Sequence, residues 1–144
     1  MRDAFELQLH VPEPATVVWG RLIDLDAHTA AIPLTTVVPA NHHMAEGLRF
    51  VGETRMGPVT IHDRMRVERA DPPSEQHPGH LVVQKSGPMA GQVEATVEQV
   101  PTGTLLVWRQ SVRPAWLPTA LRPLGALIAK WAYGIGVRRI VGQQ

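Results

Sequence analysis

The chain has 144 residues, 44% of them hydrophobic and 19% charged, values typical of one globular domain, residues 1–144, with its own core. It contains no cysteine, which excludes disulfides, thiolate metal ligands and a cysteine nucleophile. A net charge of +1 and few aromatic residues (four Trp, two Phe, one Tyr) argue against nucleic-acid binding. Because the first residues lack an apolar signal core, we expect a cytoplasmic protein.

The first third of the chain predicts one strand followed by two short helices. Apolar and polar residues alternate over 5–11, the two-residue period of a strand with one wet face. From Ala15 onward, apolar residues recur at helical spacing, which predicts the first helix: Val18, Trp19, Leu22 and Ile23. A second short helix, which Asp26 is expected to cap, ends before Pro33.

Six further segments are rich in β-branched residues and are separated by turn signals, which predicts strands. The third strand of the chain is followed by an unusually long one, 59–70. At about 3.3 Å per residue, a strand of this length in a twisted sheet must bend or wrap around something. Pro101-Thr102-Gly103 predicts a hairpin turn between the last two strands. The predicted strands are 35–38, 48–54, 59–70, 81–85, 92–100 and 104–112.

The end of the chain predicts a long helix over 123–142, with Pro123 at its first position. Such a helix would be about 30 Å long. Arg122 and Lys130 interrupt the apolar sequence, so it is too short to span a membrane. Binding to a membrane surface is disfavoured, because a helix held by a sheet shows the same apolar stripe: Leu124, Leu127, Ile128, Trp131 and Ile135.

This order of elements resembles the helix-grip superfamily of START lipid-transfer domains, polyketide cyclases and pollen allergens, grouped as SRPBCC proteins. The resemblance implies an α+β fold: a curved antiparallel sheet of about seven strands wrapped around a long C-terminal helix, with a deep cavity between them. Members differ in activity and share no catalytic motif, so no catalytic residue is carried over. The resemblance is carried by Pro12-x-Pro14, Val18-Trp19-x-x-Leu22-x-Asp24, Pro33, Gly57-Pro58, Asp63-Arg64-Met65-x-Val67, Asp71-Pro72-Pro73, Gly91 and Trp108.

Three functions follow from this resemblance and from the residues. The leading hypothesis is a carrier or sensor that binds a small, largely apolar molecule, such as a lipid or polyketide, between sheet and C-terminal helix. The alternatives are a polyketide cyclase or aromatase-like enzyme using the same cavity, and a protein-interaction module of the chaperone-activator type. Whether the chain is an enzyme stays open, as does its oligomeric state. No cofactor is indicated, because nucleotide and dinucleotide motifs are absent from the sequence.

Asp63 is the candidate catalytic residue, because it places a carboxylate on the apolar face of the long strand. It could anchor a ligand hydroxyl or act as a base; the plainer interpretation is a buried carboxylate paired with arginine or backbone amides. His62 cannot assist, since neighbours on a strand point to opposite faces. The predicted ligand-binding residues are Asp63, Ile61, Met65, Trp108, Leu124, Ile128 and Trp131.

Two other groups of polar residues are interpreted as solvated. Arg64 and Arg66 alternate to the polar face of the long strand beside Glu68, which is typical of a solvent-exposed sheet surface. Two sets of residues resemble metal ligands, His42-His43 with Glu46 and His77 with His80, but both fall in predicted loops without a complete ligand set. No metal site is therefore predicted.

Overall fold

The computed structural model describes residues 4–32, 34–86, 89–114, 131 and 134–141, and shows an α+β architecture. One strand, β1, precedes two helices; six strands and a last helix follow. The elements are β1 (Ala4–Val11), α1 (Ala15–Ile23), α2 (Leu25–Ala31), β2 (Thr35–Val38), β3 (Arg49–Met56), β4 (Val59–Asp71), β5 (Gly79–Ser86), β6 (Met89–Val100), β7 (Gly103–Pro114) and α3 (134–140).

All seven strands form one antiparallel sheet, curled into a half-barrel, in the order β1-β7-β6-β5-β4-β3-β2. Consecutive strands from β2 to β7 are neighbours, and β7 returns beside β1. The two-residue period predicted for β1 is observed, since Phe5, Leu7, Leu9 and Val11 are buried and the residues between them are exposed. The predicted α+β class, seven strands and two short helices after β1 are thus confirmed.

The long strand β4 follows the predicted alternation past Asp63. Its pairing with β5 shifts register only between Val67 and Arg69 among the described residues, four residues beyond Asp63. On the other side β4 pairs with β3 without a shift from Val59 to Arg66. Because a one-residue shift would turn the side chain outward, the regular register keeps Asp63 on the inner face.

Helix α2 begins differently from the prediction. Asp24 is its N-cap, and the Asp24 carboxylate accepts a hydrogen bond from the backbone N–H of Asp26 at 3.0 Å. Asp26, expected to be the cap, instead accepts from the backbone N–H of Asn41 through both carboxylate oxygens. The prediction was wrong by two residues, because either aspartate precedes enough helix-compatible sequence to serve as the cap.

The described residues support a C-terminal helix of seven residues, not one of the predicted length. Within 123–142 the structure describes residue 131 and 134–141; the backbone N–H of Val141 donates to the carbonyl of Val137 at 3.1 Å. Leu124, Ile128 and most of the predicted stripe lie outside the described residues. Helix α3 joins the core through Val137, Ile140 and Val141. Among the described residues no helix is long and apolar enough to cross a membrane.

Candidate functional site

A cavity of about 110 Å³ lies between the inner face of the sheet and α2. For scale, an apolar protein cavity of about 150 Å³ holds one benzene molecule. Strands β2 to β7 form most of the wall, which is covered by His28 of α2 and by Ile32, the residue that follows this helix. Most of the described lining is apolar: Ile32, Val37, Met44, Phe50, Met65, Leu81, Val83, Val93 and Trp108. The polar residues are His28, Thr35, Thr54, Asp63 and Lys85.

An ion pair between Asp63 and Lys85 stands in this apolar wall. Lys85 Nζ lies 2.7 Å from Asp63 Oδ2, and the side chains of Lys85 and Asp63 are only 3% and 15% exposed, respectively. Met65 faces Lys85 directly across β4 and β5, so Lys85 reaches diagonally to the carboxylate two residues away. The other carboxylate oxygen, Oδ1, is buried and accepts no hydrogen bond from any residue within the described part of the chain.

Burial raises the pKa of the Asp63 carboxyl above its ordinary value of 3.8. Attraction and hydrogen bonding to the Lys85 ammonium act in the opposite direction, but the loss of hydration is the larger effect. The ionised carboxylate is therefore costly in this site. A ligand that donated a hydrogen bond to Oδ1 would offset part of that cost.

Gly52 keeps space open beside the carboxylate. It lies directly opposite Asp63 on the neighbouring strand β3 and belongs to the cavity wall. A Cβ atom at Gly52 would lie 3.4 Å from Met65 Cε and 3.9 Å from Asp63 Cβ, which are ordinary van der Waals contacts. An alanine methyl group here would thus project into the cavity without a clash.

His28 contributes a neutral imidazole from α2. Its Nε2 lies 2.7 Å from the carbonyl oxygen of Leu22; since a carbonyl only accepts, Nε2 carries the proton and Nδ1 is an acceptor. Burial lowers the pKa of His28, outweighing the hydrogen bond to Leu22 and the charge of Asp24, which both raise it. The imidazole is therefore uncharged at neutral pH.

The structure brings only some of the predicted ligand-binding residues to the cavity. Asp63, Met65 and Trp108 line it. Ile61 is half-buried on the same face of β4 but is not part of the wall, and Trp131 is 71% exposed. The predicted positions of Ile61 and Trp131 therefore differ from those observed, while Leu124 and Ile128 lie outside the described residues. The opposing wall that the structure describes comes from α2.

Two ionisable residues of the cavity were missed from the sequence, as were Thr35 and Thr54. Lys85 shares the inward face of β5 with Leu81 and Val83, so the period of that strand was a sufficient signal. His28 follows Leu25 at i+3 on the buried side of α2, but nothing in that pattern indicates that it faces a cavity. The Lys85 ammonium is the partner of Asp63, where the sequence predicted an arginine or backbone amides.

The other polar groups lie outside the cavity. His62 is on the outer face, with Nε2 3.2 Å from a carboxylate oxygen of Glu53, so it is separated from Asp63 as predicted. His42, His43 and His77 are exposed. The part of the chain that the structure describes contains no cluster of three or more His, Asp or Glu side chains suited to a metal ion.

No family model matches the chain, and no curated protein sequence matches it. Solved structures do. Protein MLL2253 from Mesorhizobium loti is 18% identical, with 96% of this chain and 94% of that chain covered and a TM-score of 0.67. Ara h 8.0201 is 13% identical, with 96% and 95% covered and a TM-score of 0.66.

A third structure is the di-domain ARO/CYC StfQ from the steffimycin biosynthetic pathway, 15% identical with a TM-score of 0.68. Here 96% of this chain matches 49% of that one, so this chain spans about half of StfQ. The chain shares the fold of these solved structures. At these identities the similarity extends to fold, and the resemblance predicted from the sequence is confirmed at that level.

Proposed function

We propose that this protein binds a small, largely apolar molecule in the cavity, as a carrier or sensor, and that Asp63 receives a hydrogen bond from a hydroxyl or similar donor on that molecule. The observation that carries the proposal is the buried Oδ1 atom, unpartnered among the described residues, in a mostly apolar wall. Ligand sites commonly combine such a wall with a few placed polar groups. The cavity is somewhat smaller than one that holds benzene, so it suits at most one ring or a short acyl group.

The proposal is tested with phenol and toluene, which have nearly the same shape and differ in one hydroxyl group. Both should raise the melting temperature, because each binds only the folded state, and phenol should bind more tightly. In Asp63→Asn, phenol should bind roughly threefold to tenfold more weakly, because the asparagine carbonyl stays with Lys85 and an NH2 group replaces the accepting Oδ1 atom. Toluene binding should be unchanged. Failure of both compounds to bind, or equal weakening of both, would contradict the proposal.

The second candidate is a cyclase or aromatase-like enzyme. The raised pKa of Asp63 favours it, because a carboxylate whose charge is poorly solvated is a stronger base. In that role Asp63 would remove a proton from a carbon between two carbonyl groups, and the Lys85 ammonium, in contact with Asp63, would stabilise the enolate oxygen. StfQ, named as an ARO/CYC, shares the fold.

Deuterium exchange at the central carbon of 2,4-pentanedione tests this candidate without knowledge of the natural substrate. Exchange followed by NMR should be faster with the protein than with buffer alone, and Asp63→Asn should return it to the buffer rate. Equal rates with and without the unmodified protein would leave binding as the function. The third hypothesis, an interaction module, requires an exposed apolar patch; the exposed large apolar residues described are Val17, Leu34, Val59 and Trp131.

A further inference from the structure

The outer face of the sheet carries three arginines close together on β3 and β4. Arg49 and Arg66 are directly opposite each other in the register, and Arg64 is the next residue of β4 on the same face. All three are exposed. Like charges directly opposite on neighbouring strands destabilise a sheet, so this arrangement has a cost that the fold does not require.

The charges of these arginines are poorly balanced. Arg66 lies 3.2 Å from a carboxylate oxygen of Glu68. Neither Arg49 nor Arg64 has a carboxylate within 4.0 Å in the part of the chain that the structure describes. Outside that part the sequence contains one further acidic side chain, Asp3.

Some other arginines of the chain are paired. Arg21 faces Glu13, Arg69 faces Asp71, and Arg109 faces Glu6. What distinguishes Arg49, Arg64 and Arg66 is their position side by side on one face of two neighbouring strands. In a chain with a net charge of only +1, they form a local positive surface.

Uncharged hydrogen-bond donors complete this surface. Gln84 is opposite Arg66 and Ser86 is opposite Arg64 in the register of β4 and β5. Both line a shallow groove with the three arginines, and its other lining residues include Val38, Pro39 and Val51. Guanidinium, amide and hydroxyl groups arranged this way match the several acceptor oxygens of a phosphate group.

We propose that this groove binds a phosphate group, held by Arg49, Arg64 and Arg66 with Gln84 and Ser86. The site lies on the opposite face of the sheet from the cavity and does not depend on the proposed function. The phosphate can belong to a soluble phosphate ester or to a lipid headgroup, since both present the same oxygens to the arginines.

Inorganic phosphate is the first probe, titrated at low ionic strength into the full chain while its melting temperature is followed. Binding to the folded state should raise the melting temperature with increasing phosphate. Arg49→Gln and Arg64→Gln should each weaken binding about tenfold or more, because each removes a charged hydrogen-bond donor. Arg109→Gln is the matched control: it removes one arginine from the same face of the sheet, and the phosphate response should stay unchanged.

A fourth variant should strengthen binding. Glu68→Gln removes the carboxylate that competes for Arg66, so phosphate should bind more tightly than to the unmodified chain. General loss of stability cannot produce such a gain. The same melting response in all variants, or no response of the unmodified chain, would overturn the proposal.

Vesicles then identify the source of the phosphate group. Cosedimentation is measured with phosphatidylcholine vesicles and with the same vesicles containing phosphatidic acid. Binding only to the acidic vesicles, lost in Arg49→Gln and Arg64→Gln, would support the proposal with a lipid headgroup as ligand. Binding of inorganic phosphate without binding to either vesicle would support it with a soluble phosphate ester.

Discussion

Replacement of Asp63 by asparagine separates a structural ion pair from a ligand anchor. Loss of one partner from a buried pair costs about 3–5 kcal/mol when the other charge is left isolated. Here the cost should be smaller. The asparagine side-chain carbonyl would still offer an acceptor to Lys85 Nζ, which lies 2.7 Å from Asp63 Oδ2 in the unmodified chain. The substitution also removes a carboxylate whose burial outweighs its attraction to Lys85.

We therefore expect Asp63→Asn to change the free energy of unfolding by less than about 1 kcal/mol at pH 7. For a chain of this length that is a shift of at most about 4 °C in melting temperature. Urea unfolding followed by circular dichroism measures it. A loss of about 3 kcal/mol or more would show that the pair stabilises the fold, and would refute the reasoning that treats Asp63 as an anchor.

The same variant should also change the pH dependence of stability. Because the pKa of Asp63 is raised in the folded state, its favourable contribution is fully present below the ordinary value of 3.8 and is lost as pH rises through the folded-state pKa. Asparagine has no such titration. The stability of Asp63→Asn relative to the unmodified chain should therefore increase as pH rises from about 4 toward 7. A decrease over that range would contradict the assigned direction of the pKa shift.

Three further variants test the cavity and the fold. Gly52→Ala should stabilise the protein by about 0.5 kcal/mol in urea unfolding, because a glycine inside a strand is replaced. The same variant should weaken the binding of phenol and toluene equally in calorimetry, and unchanged binding would place the ligand elsewhere. Because the pKa of His28 is lowered in the folded state, the contribution of His28 to stability is present above pH 6.5 and is lost as pH falls through the folded-state pKa. His28→Gln should lose less stability than the unmodified chain between about pH 7 and pH 5, and an equal loss would exclude His28 as the cause. Gly91→Ala should cost about 3 kcal/mol or more, because Gly91 has φ +156° and a Cβ there would collide with the carbonyl oxygen of Ser111; normal stability would refute that geometry.

The sheet was predictable because β1 and β4 up to Val67 follow a two-residue period. The alternation along β1 and β4 determined which side chains face inward, and the turn residues between strands placed the ends to within a few positions. The inward position of Asp63 follows from that period alone. The register shift after Val67 could not be predicted, because one extra residue in a polar stretch leaves no compositional signal.

The site was less predictable than the fold, because it depends on which elements meet in space. The ion pair joins Asp63 of β4 to Lys85 of β5, two residues that are distant in sequence. Trp131 illustrates the limit of helical periodicity, since its apolar spacing predicted a place in the cavity wall but the side chain is exposed. Periodicity identifies a face, and only tertiary packing decides what that face contacts.

The central claim, that the cavity binds a small apolar molecule beside Asp63, is tested most directly by NMR of the protein labelled with ¹³C in its methionine methyl groups. Met44 and Met65 line the cavity and report on its contents. Phenol should shift both methyl resonances with one common dissociation constant, and Gly52→Ala should weaken phenol binding. Resonances of Met44 and Met65 that stay unchanged at saturating phenol would contradict the claim.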